Sequence, residues 1–203
     1  MIERISFRLA VFLANKANRN SDVDYVRYGL EIVLGGFIKG VAILVLAVLI
    51  GMESILFSVI ATFVLFRSVT GGFHLSTYWR CFSFTIIILV GSSWLIKEYM
   101  YNFNPMLYLS IIVLTYCYGL YSIYKFVPAN LEYRPQSHRK RSKLKCVSLL
   151  LLTIWFIGMH LLYYLDNTQL VMASIVGLFI QLSTLSPRAF DLIRRLEDKL
   201  SGR

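Results

Sequence analysis

A histidine and a cysteine seven residues apart, His74 and Cys81, stand behind a pair of glycines in Arg67-Ser68-Val69-Thr70-Gly71-Gly72-Phe73-His74. A thiolate is the nucleophile of a cysteine peptidase, and it needs an imidazole to take its proton and later return it to a leaving amine. On a straight α-helix seven residues advance about 10.5 Å, too far for the roughly 3 to 4 Å contact such a pair requires. The spacing therefore predicts a helix break between Gly71 and Thr77. Gly71-Gly72 supply backbone freedom just ahead of His74, and Ser76-Thr77 can cap a helix that presents Cys81 from its first turns. The same residues also fit a plainer arrangement, with His74 an interfacial imidazole and Cys81 a small residue packed between helices. Spacing alone does not choose between the two.

The elements that must position this pair are helices in lipid. The chain has 203 residues, 57% of them hydrophobic and 16% charged, with a mean hydropathy of +0.64. A soluble domain of this size carries roughly a quarter of its residues as charges. Apolar runs lie at about 32–50, 55–66, 82–96, 106–124, 146–165 and 170–185. They predict an all-α, polytopic integral membrane protein of about six transmembrane or partly re-entrant helices. The second and third runs fall short of the roughly 20 residues that cross a bilayer, so each borrows residues from its flanks or stays re-entrant. These two flank the His74 and Cys81 segment.

If all six spans cross and the N-terminus is cytoplasmic, every one of the 21 basic residues except Lys39 and Lys97 falls in an inner segment or at its edge. That bias predicts cytoplasmic N- and C-termini by the positive-inside rule. The outer turns, 51–54, 97–105 and 166–169, are short, so the working surface faces the cytoplasm. The N-terminus has no uninterrupted apolar stretch of the kind a cleavable signal carries, and the apolar spans are expected to be retained. The chain thus reads as one membrane domain, 1–203, made of an interfacial amphipathic helix at 1–20, a candidate catalytic segment at 67–81, a basic cytoplasmic loop at 125–145 and a cytoplasmic tail at 186–203. In the first of these, Ile2, Ile5, Leu9, Phe12, Leu13 and Ala17 recur at helical spacing between charged and polar residues. Ser21 and Asp24 have the spacing of a capping box for the helix that follows.

No carboxylate lies between Arg67 and Cys81, so a third group to orient His74 has to come from elsewhere. Glu31 is the best candidate, and its alternative is an ion pair with Arg27 one helical turn earlier. His160 fits an interhelical contact, and Cys117 and Cys146 fit packing. The three cysteines have neither a disulfide framework nor metal-ligand spacing, and no cofactor or metal is expected. Two rival readings need no chemistry at His74 and Cys81. One is a small transporter or permease whose path is lined by Lys39, Thr85, Ser92, Ser93 and His160. The other is a membrane scaffold or immunity-type protein.

Arg67, Gly72, His74 and Cys81 stand in the arrangement of the AgrB family of membrane peptidases, which process quorum-sensing propeptides of the AgrD type. The resemblance extends to Pro128-Ala129 ahead of Arg134-Pro135 and a basic run, and to chain length and span number. Tyr28-Gly29-Leu30-Glu31 and Thr184-Leu185-Ser186-Pro187 also look similar. Where some members have consecutive lysines after the Pro-Ala pair, this chain has Leu131-Glu132-Tyr133-Arg134. The resemblance implies a multi-pass protein of the bacterial cell membrane with its active site on the cytoplasmic side. Cys81 would be the nucleophile and His74 the base and acid. Cleavage on the carboxyl side of the future signal would leave an acyl-enzyme thioester, which a Cys or Ser of the substrate attacks to give a thiolactone or lactone. Arg67 would support the site; its guanidinium can clamp a carboxylate or stabilise an oxyanion, or else Arg67 and Arg80 anchor the chain at lipid phosphates. Gly72 would let the backbone turn, with an amide free for the tetrahedral intermediate. Family propeptides carry an acidic tail, which Arg134, Arg139, Lys140, Arg141, Lys143 and Lys145 could gather by long-range attraction. On an anionic leaflet the same cluster is also a topology signal. Expected partners are an AgrD-type propeptide and membrane lipids, with a second copy of the chain as a candidate. Nucleic acid is not expected, because no folded cytoplasmic domain accompanies the charges.

Overall fold

The computed structural model of the chain describes residues 2–17, 23–73, 75, 77–99, 104–129 and 137–200. All regular elements among them are α-helices: α1 (Ile2–Lys16), α2 (Val23–Ile50), α3 (Glu53–Thr70), α4 (Tyr78–Tyr99), α5 (Pro105–Phe126), α6 (His138–Tyr164), α7 (Thr168–Ser183) and α8 (Pro187–Leu200). By length and composition, α2 to α6 can each cross a membrane. The sixth expected span, α7, has 16 residues and reaches that length only together with α8, from which it is bent by 77°. An all-helical, multi-pass architecture of five or six spans follows.

The chain divides into two compact units, Met1–Leu49 and Ile50–Arg203. In the first, α1 sets Ser6, Ala10 and Ala14, one turn apart, in a buried stripe while Ile5, Leu9, Phe12 and Leu13 stay exposed. Ser21 lies outside the described residues, and α2 starts at Val23.

The second unit is built around α7, which touches α3, α4, α5 and α6. Lipid tails are as apolar as leucine, so helices in a bilayer associate through close approach and polar pairs rather than by hiding apolar surface from water. The α3–α7 interface has both. A Cβ added to Gly177 would collide with the Val59 carbonyl, so only glycine lets the two backbones meet there. Thr62 Oγ1 and Ser174 Oγ lie 2.8 Å apart, Trp155 Nε1 donates to the same Ser174 oxygen at 2.8 Å, and Ser58 donates to the Leu170 carbonyl. The two short apolar runs flanking the His74 segment become helices of 18 and 22 residues. They gain the length from polar and aromatic flanks, including Arg67 at the end of α3 and Tyr78-Trp79-Arg80 at the start of α4.

Candidate active site

The helix that would carry Arg67 straight through to Cys81 stops at Thr70. Gly71 has φ +76° and Gly72 φ +146°, conformations that a residue with a Cβ rarely adopts. The Gly71 amide still closes the last turn on the Arg67 carbonyl at 3.0 Å. Helix resumes at Tyr78, and the Cys81 amide bonds back to the Thr77 carbonyl at 3.1 Å, which places Cys81 in the first turn of α4. The break expected from spacing is therefore present between Gly71 and Thr77.

Side chains from distant parts of the chain hold the segment after Thr70. Gln181 of α7, fully buried, donates to the Gly71 carbonyl at 2.6 Å and to Thr70 Oγ1 at 2.9 Å. The Arg67 guanidinium donates to the Phe73 carbonyl and reaches Gln181 Oε1 at 3.4 Å and Thr184 Oγ1 at 3.5 Å. A Cβ at Gly72 would lie 2.5 Å from Arg67 Nη1 and 2.8 Å from Thr184 Oγ1, so Gly72 also makes room for the guanidinium. On the other flank the Ala129 amide donates to the Thr70 carbonyl at 3.1 Å, and a Cβ built on Gly71 would meet Ala129 first, at 3.6 Å. The Phe73 ring meets Phe84 of α4 and Phe190 of α8 at centroid distances of 6.2 and 6.0 Å. Two further segments of the resemblance, Pro128-Ala129 and the run beginning at Thr184, thus border the glycine turn.

Cys81 is half-buried. A thiolate there would lie within electrostatic reach of the Arg67 guanidinium and the Tyr78 hydroxyl. Thr85 donates to the Cys81 carbonyl at 2.7 Å. Tyr78, Trp79 and Phe82 pack ring against ring beside it. His74 lies outside the described residues, as do Ser76 and Arg134.

Glu31 pairs with Arg27 at 3.6 Å, the alternative raised by their spacing, within the Met1–Leu49 unit. Arg139, Lys140, Arg141, Lys143 and Lys145 belong to the first turns of α6 and not to a loop. Lysine, arginine and leucine are good helix formers, and charge alone does not end a helix; the amides of Lys140 and Arg141 bond to the Ser137 carbonyl. The first four are exposed, while Lys145 places its ammonium 4.5 Å from the centre of the Tyr124 ring. His160 Nδ1 donates to the Phe156 carbonyl one turn back in its own helix at 2.9 Å, and Cys117 and Cys146 are exposed. A concavity of about 360 Å³, lined by Ser54 and residues 166–170, opens at the opposite end of α3 and α7 from the glycine turn. Among the described residues no cluster of three His, Cys, Asp or Glu side chains could hold a metal ion.

Sequence reasoning passed over Gln181 and gave Thr70 and Thr184 no role of their own in the site. A signal for Gln181 was available: a carboxamide within an otherwise apolar span must find partners inside the protein.

The family model for accessory gene regulator B matches residues 6–185, which takes in Arg67, Gly72, His74, Cys81, Gln181 and Thr184. The chain belongs to the AgrB family. It is 28% identical over 189 residues to an AgrB-like protein of Clostridium perfringens strain 13, covering 87% of this chain and 86% of that one. To the accessory gene regulator protein B of Staphylococcus intermedius it is 27% identical over 149 residues, 72% of this chain and 76% of that one. To protein FsrB of Enterococcus faecalis it is 25% identical over 136 residues, 67% of this chain and 54% of that one. No solved structure matches it. Membership of the AgrB family gives the chain a role in accessory gene regulator quorum-sensing systems, and its long apolar helices fit a multi-pass membrane protein of that family.

Proposed function

We propose that this AgrB-family protein is a membrane-embedded cysteine endopeptidase that cleaves the C-terminal part of an AgrD-type propeptide and promotes its cyclisation. The observation that carries this reading is the helix break between Arg67 and Cys81, inside the region matched by the family model. It removes the obstacle that a continuous helix would place between His74 and Cys81.

In the proposed reaction His74 takes the Cys81 proton and the thiolate attacks the scissile carbonyl. The tetrahedral intermediate collapses, the C–N bond breaks and the leaving amine takes the proton from His74. The acyl group stays on Cys81 as a thioester. A Cys or Ser side chain of the substrate then attacks that thioester, closes the ring as a thiolactone or lactone, and returns the Cys81 thiol. Exchange of one thioester for another is close to isoenergetic, so excluding water from the intermediate matters more than lowering its energy. A site at the lipid boundary favours that, and the Arg67 charge would offset negative charge developing nearby. The exposed basic start of α6 would gather the acidic tail of the propeptide from the cytoplasmic side.

The test is coexpression with the candidate propeptide, scoring cleavage by the wild type, Cys81→Ser and His74→Ala at matched membrane levels. Both variants should lose processing, and an acyl adduct should be trapped on Cys81 of the wild type. Full processing by both variants would sink the peptidase reading in favour of a transporter or scaffold.

A further inference from the structure

The glycines that make the turn possible leave it undetermined. Gly71 and Gly72 tolerate positive φ without steric cost, and equally tolerate many other conformations, so outside contacts have to select the one observed. The described residues show which contacts these are. The carbonyls of Gly71 and Phe73 have left the helix ladder, and each is taken by a side chain: Gly71 by Gln181 of α7 at 2.6 Å, and Phe73 by Arg67 of α3. Gln181 joins the two sets of contacts, because its amide nitrogen also bonds Thr70 Oγ1 at 2.9 Å while its oxygen faces Arg67 Nη1 at 3.4 Å. Thr184 donates to the Gln181 carbonyl at 2.7 Å and offers its oxygen to the same guanidinium. Every polar atom of this buried carboxamide is thus committed to the turn or to the arginine beside it.

We propose that Gln181 is the positioning residue of the site, and that its carboxamide, together with Arg67 and Thr184, forms a latch from α7 that fixes the Gly71–Phe73 backbone from which His74 follows. The consequence for catalysis rests on the peptidase reading; the consequence for the conformation of the turn does not. Arg67 then serves the site chiefly through its backbone contact to Phe73, and Gly72 is required where its Cβ would press on the guanidinium. Gln181 is fully buried and its carboxamide is already committed within the protein, so its removal should lower turnover and leave substrate binding alone.

The test uses Gln181→Met, which keeps side-chain length and removes the hydrogen bonds, with Thr62→Val as a control in the same α3–α7 interface. Purified protein in lipid nanodiscs is assayed for propeptide cleavage and for amide hydrogen exchange. With Gln181→Met, kcat should fall about 10- to 100-fold with KM within about twofold, the scale of a catalytic group misplaced by about 1 Å. Exchange in the peptide spanning residues 70–80 should quicken about tenfold while peptides of α5 and α6 keep wild-type rates. Thr62→Val should leave both readouts within about twofold of wild type. Cleavage that depends on Cys81 but is unchanged by Gln181→Met, with unchanged exchange at 70–80, would overturn the latch and spare the peptidase. Faster exchange throughout the Ile50–Arg203 unit would also overturn it, by marking Gln181 as a general packing residue. Cleavage that survives Cys81→Ser would instead remove the peptidase reading, and local exchange would still decide the latch.

Discussion

The two helices on either side of the glycine turn are held in different ways. α3 buries Ile55, Leu56, Val59, Thr62, Phe66 and Thr70 along its whole length and sends Ser58, Thr62 and Arg67 to polar partners on or just beyond α7. α4 buries only Leu89, Ser93 and Ile96, all in its second half. Cys81 sits in the first half, beside Tyr78, Phe82 and a Trp79 that is 72% exposed. In a bilayer an apolar side chain gains little by exchanging lipid for a neighbouring helix, so order comes from close backbone approach and paired polar groups. α3 has both along its length, whereas the half of α4 that carries Cys81 buries no side chain. The side of the turn that sets backbone geometry is therefore fixed in the core, while Cys81, the proposed nucleophile, stands on a less enclosed helix.

If this contrast is right, function and stability separate. Cys81→Ser should bring the largest functional loss, about a thousandfold or more in propeptide processing, as removal of a nucleophile does elsewhere. It should leave thermal unfolding in detergent near that of the wild type, because that half of α4 buries no side chain. A large fall in unfolding temperature would mean that Cys81 is a packing residue. Gly72→Ala comes next. Its Cβ would meet the guanidinium at 2.5 Å in a conformation that alanine disfavours, and the displaced turn should lower kcat about 10- to 100-fold. Combining it with Arg67→Ala sharpens the assignment. If Gly72 is needed to make room for the arginine, the double variant should be less impaired than the product of the single effects; independent effects would point to backbone freedom alone.

Gly177→Ala tests the opposite side. Because the added methyl meets the Val59 backbone, the helices must separate, at a cost of about 1–3 kcal/mol typical of overpacking. Thermal unfolding should report that loss, and processing per folded molecule should stay near wild type.

The parts of this arrangement that sequence could reveal share a property: each is local. The break at residues 71–77 follows from two glycines and the length of a helix between His74 and Cys81, and the spans follow from their apolar runs. Helix ends were underestimated where polar or aromatic residues carry the helix onward, as at Tyr78-Trp79-Arg80 and His138 to Lys145, because hydropathy registers affinity for lipid and not helix formation. The central place of α7 was hidden for a related reason. Its composition resembles that of the other spans, and only Ala173, Ser174 and Gly177 hint at helices close by. Gln181 was hidden by distance, since the Gly71 carbonyl that it binds lies 110 residues away. A polar residue in an apolar span announces that it needs a partner but not which one.

The smallest expected effect gives the cleanest comparison. Gly91 lies in α4, and a Cβ built there meets nothing within 4 Å, whereas the same atom at Gly177 of α7 strikes backbone. The substitution Gly→Ala is chemically identical at both positions and occurs within a helix in each. At Gly91 only backbone entropy and helix propensity remain to act, so alanine should leave stability unchanged or raise it by up to about 1 kcal/mol. At Gly177 the clash should outweigh that gain and reverse its sign. Thermal unfolding of the two variants under one set of conditions reads the difference directly. Equal destabilisation at both sites would mean that α4 packs as tightly as α3 and α7, and the view of Cys81 as standing on a less enclosed helix would have to be abandoned.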